Sequence, residues 1–143
     1  MRRLTMAVLL VWSTGGGGGA KVEKPIAVTL IGARCSSDGK GSIAAFFGPS
    51  MPGQAEKLGF NIGPIHFDSV PGVTLPHVSS SAPYHGPGRY TGAPIAGWLV
   101  PHDYKTYIND RGVVTVNADR QTGTFATDDG KAAGTWDCGL PLQ

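Results

Sequence analysis

Residues 110–138 constrain the fold of this chain more than any other stretch. Gly112 precedes Val113-Val114-Thr115-Val116, four β-branched residues that favour an extended, pleated backbone. Asn117 to Gln121 follows as a polar turn, and Thr122-Gly123-Thr124-Phe125-Ala126-Thr127 reads as the returning strand. Asp128-Asp129-Gly130-Lys131 supplies the next turn, with Gly130 able to take the positive φ that a tight hairpin demands. Ala132 to Cys138 completes a three-strand meander, in which period-two alternation puts Trp136 and Cys138 on one face. The meander ends in a cysteine, and the other cysteine of the chain is Cys35, near the first strand.

The remaining sequence repeats this grammar of short apolar runs and turns. Ile26 to Ala33 is apolar on both parities, which fits a strand covered on two sides or interrupted by a bulge, and Gly32 is the place for the bulge. Ser36 to Lys40 is a turn and Ser42 to Phe47 pairs back as a strand. Gly48 to Gly53 holds two prolines and two glycines and is irregular; Gln54 to Leu58 could form one helical turn. Phe60 to Val70 alternates but switches parity at Gly63-Pro64, which predicts a bend. Gly72 to Leu75 opens a further strand, ended by Pro76. Ser79 to Gly88 is the longest loop, and Gly92-Ala93-Pro94 breaks the strand that Arg89 begins and Val100 ends. With 22 glycines, 11 prolines and only 15% charged residues, the chain favours many short elements joined by turns. The expected fold is all-β: a two-sheet antiparallel sandwich of seven or eight short strands, forming a single domain over residues 21–143.

Residues 1–20 read differently. Met1-Arg2-Arg3 is a charged start, Leu4 to Trp12 an apolar run and Gly15 to Ala20 a small-residue tail, the order of an export signal. The apolar run falls far short of the roughly 20 residues that span a bilayer, so no membrane span is expected. Lys21 to Lys24 then reads as a charged lead-in, with Pro25 marking the edge of the domain. Arg2 and Arg3 are two of the 12 basic residues, so residues 21–143 carry ten against ten acidic ones. No basic stripe survives, which removes the electrostatic footprint of a nucleic-acid binder. In an exported chain, Cys35 and Cys138 are expected to pair as one disulfide; the alternative is two free, buried thiols.

Few residues carry chemistry. On a strand, His66 and Asp68 share one face while Ile65 and Phe67 take the other, and a carboxylate can orient a histidine for metal binding or base work. The plainer reading is a solvated strand face, since nothing marks a third ligand. His102 and Asp103 are adjacent and diverge on a strand, while His77 and His85 sit beside prolines in loops. Ser79-Ser80-Ser81 lies near His85 but lacks the Gly-x-Ser-x-Gly elbow of a nucleophile. No catalytic set, metal site or cofactor follows from these spacings. Aromatic residues offer a better hypothesis, because Tyr84, Tyr90, Tyr104 and Tyr107 cluster with Trp98 in a loop-rich region, and rigid amphipathic rings are common contact residues. Against this, Trp98 and Trp136 read better as core anchors packing by the disulfide, as a tryptophan does in sandwich domains.

The leader resembles that of a bacterial lipoprotein, in which an acylated cysteine is followed by a Gly/Ser-rich tether. Gly16 stands where that cysteine would be, and Ser13 where a leucine would be, so no lipid anchor is expected. With Gly15–Gly19, Cys35, Gly86-Pro87-Gly88-Arg89-Tyr90, Gly123-Thr124-Phe125 and Gly134-Thr135-Trp136-Asp137-Cys138, the whole chain resembles the small exported envelope proteins and lipoproteins of actinobacteria. That resemblance implies an extracytoplasmic, secreted or envelope-associated address and a disulfide-closed β-domain, not a reaction. The expected function is a non-enzymatic binding module for a protein, a glycan or an apolar ligand. Alternatives are a small hydrolase or metal-dependent enzyme using His66/Asp68 or His85, and a carrier holding an apolar ligand between the sheets near Phe46, Phe47, Phe60 and Trp98.

Overall fold

A computed structural model describes residues 18–48, 57–64, 69–70, 73–74, 82–100 and 103–142. The strands are β1 (Gly19–Lys24), β2 (Val28–Ile31), β3 (Ala33–Ser37), β4 (Ile43–Phe47), β5 (Lys57–Ile62), β6 (Ser69–Val70), β7 (Val73–Thr74), β8 (Gly88–Trp98), β9 (Tyr107–Val116), β10 (Thr122–Thr127) and β11 (Ala133–Asp137). The only helical element among the described residues is one 3-10 turn, Tyr104–Thr106, and none is long and apolar enough to cross a membrane.

Nine strands form one antiparallel sheet in the order β2-β1-β11-β10-β9-β8-β5-β4-β3. Neighbours in the sheet are neighbours in the chain, with the short β6–β7 hairpin as an excursion and β1–β11 joining the two ends. The outermost strands, β2 and β3, are one run divided only by Gly32. In a regular strand the N–H and C=O of one residue point to the same side. Gly32, at φ 101°, turns them apart: its N–H donates to the Gly18 carbonyl and its carbonyl accepts from the Gly48 N–H, both at 3.0 Å. The run therefore leaves β1 and joins β4, and the sheet curls into a nearly closed barrel.

The expected sandwich is thus corrected to a single barrel-like sheet. Periodicity shows where strands lie but not which of them meet, and closure rests on two features that periodicity hides. One is the partner exchange at Gly32. The other is β1, read as a charged lead-in because Lys21, Glu23 and Lys24 face outward; Ala20 and Val22 face inward and are 4% and 3% exposed. The break expected at Gly92-Ala93-Pro94 is instead a bulge within a continuous β8, where the register to β9 shifts between Tyr90 and Ala93. That shift changes the parity and lets Tyr90 and Ile95 both point inward. Lys57 and Leu58, expected at the end of a helical turn, open β5; residues 54–56 lie outside the described residues. The meander of β9, β10 and β11 stands as expected, while Gly32, expected to be a bulge, is the break between β2 and β3.

The barrel interior is filled by side chains. Phe47, Phe60 and Trp136 pack on one another with ring centroids 5.4–6.4 Å apart, surrounded by Leu30, Ile43, Leu58, Ile62, Ile95, Val114 and Phe125. Large rings sit opposite glycines: Trp136 pairs with Gly123 and Phe125 with Gly134, the large–small alternation a narrow barrel needs. Outside, Ala44, Asn61 and Ala96 are 0–1% exposed on the side of β4, β5 and β8 that faces away from the core. The backbone of the β6–β7 hairpin runs close to β5 and β8.

Candidate functional site

The wall of the barrel has one seam. Up to Gly18 the neighbour of the β2–β3 run is β1; beyond it the neighbour is the C-terminal segment 138–142. No backbone hydrogen bond among the described residues joins that segment to β3. The disulfide Cys35–Cys138 spans the seam instead, with Cα atoms 5.9 Å apart. Hydrogen bonds on the other side fix the segment: Cys138 N–H donates to Gln121 O at 2.8 Å and Leu142 N–H to Arg120 O at 2.7 Å. Asp137 Oδ1 accepts from Gly139 N–H at 2.7 Å and from Gln121 Nε2 at 3.2 Å. Leu142 is thereby buried, at 5% exposed, whereas Leu140 is left 75% exposed.

A groove of about 820 Å³ runs over this seam. Alternation along β3 and β4 brings Arg34, Ser36 and Phe46 to its rim, Leu140 and Pro141 form the opposite side, and the disulfide lies along it. Arg34 and Phe46 are direct cross-strand partners. Arg34 is the only charged side chain in the lining among the described residues. Nearby on β5, Lys57 is 2% exposed; burial first, and then the charge of Arg34, push its ammonium below the ordinary lysine value of 10.5. Phe46 continues the surface onto Ala96 and Trp98, and Trp98 meets Tyr107 with ring centroids 4.7 Å apart.

Comparison with known protein families, curated proteins and solved structures returns no match.

The four tyrosines of the expected contact surface divide between the two ends of β8. Tyr90 is 1% exposed: its hydroxyl donates to Gly86 O at 2.7 Å and accepts from His85 N–H at 3.0 Å, so it latches the loop entering β8. Tyr84 packs beside it at 5.8 Å, and burial pushes its phenol above the ordinary value of 10.0. Tyr104 opens the 3-10 turn at the far end, and Tyr107, half-buried, begins β9. Tyr107 adjoins another ring of the outer face, that of Trp98.

His66, Asp68, His77, His102 and Ser79 to Ser81 lie outside the described residues. His85 is exposed, with its ring 5.2 Å from that of Tyr90, and no group of three His, Cys, Asp or Glu among the described residues could hold a metal ion. The aromatic residues named for an apolar carrier do not enclose one space. Phe47 and Phe60 face the packed interior, while Phe46 and Trp98 face outward against Ala96. Sequence reading missed the groove because Arg34, Phe46 and Leu140 are far apart in the chain. The disulfide, joining residues 103 apart, was the one signal that β3 meets the C-terminus.

Proposed function

We propose that this chain is an exported, non-enzymatic binding module that takes its ligand on the outside of the barrel, in the groove over the seam. The observation that carries this reading is the occupied interior: Phe47, Phe60 and Trp136 fill the volume that a carrier barrel would keep for cargo. Among the described residues the groove combines an apolar wall with a single cation, the composition of a small-ligand site. The disulfide supports an oxidising compartment, as does the charged, apolar and small-residue order of residues 1–20.

A fragment screen on the oxidised full chain, followed by two-dimensional NMR, tests the placement. Hits are expected to move the amide signals of Arg34, Phe46 and Gly139–Leu140. Hits that instead move the ring signals of Phe60 and Trp136 would show an interior site and overturn it.

A further inference from the structure

The chemistry of the seam groove narrows what it can hold, and the inference rests on the reading that ligand binds there. Among the described residues, its lining contains one cation, Arg34, which is exposed, and no Asp or Glu. An arginine side chain offers a planar fork of donors that fits a carboxylate with two parallel hydrogen bonds. Phe46 stands directly across the ladder from Arg34, and Leu140 exposes three quarters of its surface on the opposite side. The groove thus presents a positive head position flanked by two apolar side chains. A volume of about 820 Å³ suits a small molecule.

We propose that the groove binds a free alkyl carboxylate, with its head on the Arg34 guanidinium and its chain between Phe46 and Leu140. A neutral molecule of the same length leaves the guanidinium unmatched, and a cationic one is repelled by Arg34. Because Arg34 is exposed, the attraction is screened by salt.

The test titrates the oxidised full chain with sodium octanoate, octan-1-ol and octyltrimethylammonium at low ionic strength, read by amide shifts. Octanoate is expected to saturate the shifts of Arg34, Phe46 and Leu140 and to bind about tenfold more tightly than octan-1-ol. Arg34→Gln should remove that difference without changing octan-1-ol binding, Leu140→Ser should weaken both, and salt should weaken octanoate alone. Octanoate binding no tighter than octan-1-ol, or unchanged in Arg34→Gln, overturns the carboxylate assignment. If octan-1-ol or octyltrimethylammonium alone moves the groove signals, the carboxylate assignment fails while the groove stands as a binding site. If none of the three does, both fail.

Discussion

Trp136 and Gly123 are direct cross-strand partners, and the indole occupies the space that a side chain at position 123 would need. A Cβ there would lie 2.7 Å from Trp136 Cζ2 and would strike the Thr115 carbonyl. The indole N–H donates to Thr124 O at 3.2 Å, which holds the ring in place. Gly123→Ala is therefore expected to destabilise the fold by about 2 kcal/mol or more, as overpacking does. Gly130, in the β10–β11 turn, has open space around it and only a positive φ to satisfy, so Gly130→Asn should cost less than about 1 kcal/mol. Urea denaturation followed by tryptophan fluorescence separates the two; equal losses would contradict the packing account.

The two tyrosines beside the loop at residues 82–87 predict opposite responses to losing a hydroxyl. Tyr90→Phe removes both the donor to Gly86 O and the acceptor of His85 N–H, and should cost about 1–3 kcal/mol. The Tyr84 hydroxyl is buried with no hydrogen-bond partner among the described residues, so Tyr84→Phe should be neutral or stabilising. Thermal unfolding of both variants checks this, and a destabilised Tyr84→Phe would reveal a hidden partner.

Cys35–Cys138 closes a loop of 103 residues, and losing it should cost up to about 4–5 kcal/mol in the chain-entropy model. With no backbone hydrogen bond among the described residues to fall back on at the seam, reduction should open that place first. Hydrogen exchange of the double variant Cys35→Ser/Cys138→Ser should accelerate most at residues 33–37 and 138–142. Uniform acceleration over all strands would argue against a weak seam.

Acid should loosen the turns before the barrel. Asp119 accepts from Gln121 N–H at 2.8 Å, Thr122 N–H at 2.9 Å and Thr122 Oγ1 at 2.8 Å, which holds its carboxyl below the ordinary 3.8. Asp38 is lowered in the same way by Lys40 and Ser42 N–H. A folded-state pKa below the unfolded one stabilises the fold above the unfolded value, and that stabilisation is lost as pH falls through the folded value. Stability should therefore decline as pH drops below about 4, and Asp119→Asn should flatten the slope. An unchanged slope in Asp119→Asn and in Asp38→Asn would remove these turns as its source.

β1 fixes the shortest chain that can fold. Ala20 and Val22 belong to the core, so a chain begun at Gly18 should unfold cooperatively, whereas one begun at Lys24 should not. Any processed form of the native protein should accordingly keep its first residue at or before Gly18, which its mass checks. A form starting at Lys21 would show that β1 can lose its first two residues.

What could be read from the chain alone was local. Alternation over residues 113–138 placed β9, β10 and β11 with their turns, Gly32 marked an interruption of its strand, and two cysteines in an exported-type sequence marked one bridge; each of these rests on neighbours within a few residues or on a count. Which strands meet was decided by the tertiary structure. Gly32 could exchange β1 for β4 only once both were present to receive its N–H and C=O, and a strand as charged as β1 shows its role only when Ala20 and Val22 have a core to enter. The groove is of the same kind: Arg34 and Phe46 become neighbours through a ladder, Leu140 joins them through a disulfide, and no spacing along the sequence encodes either contact.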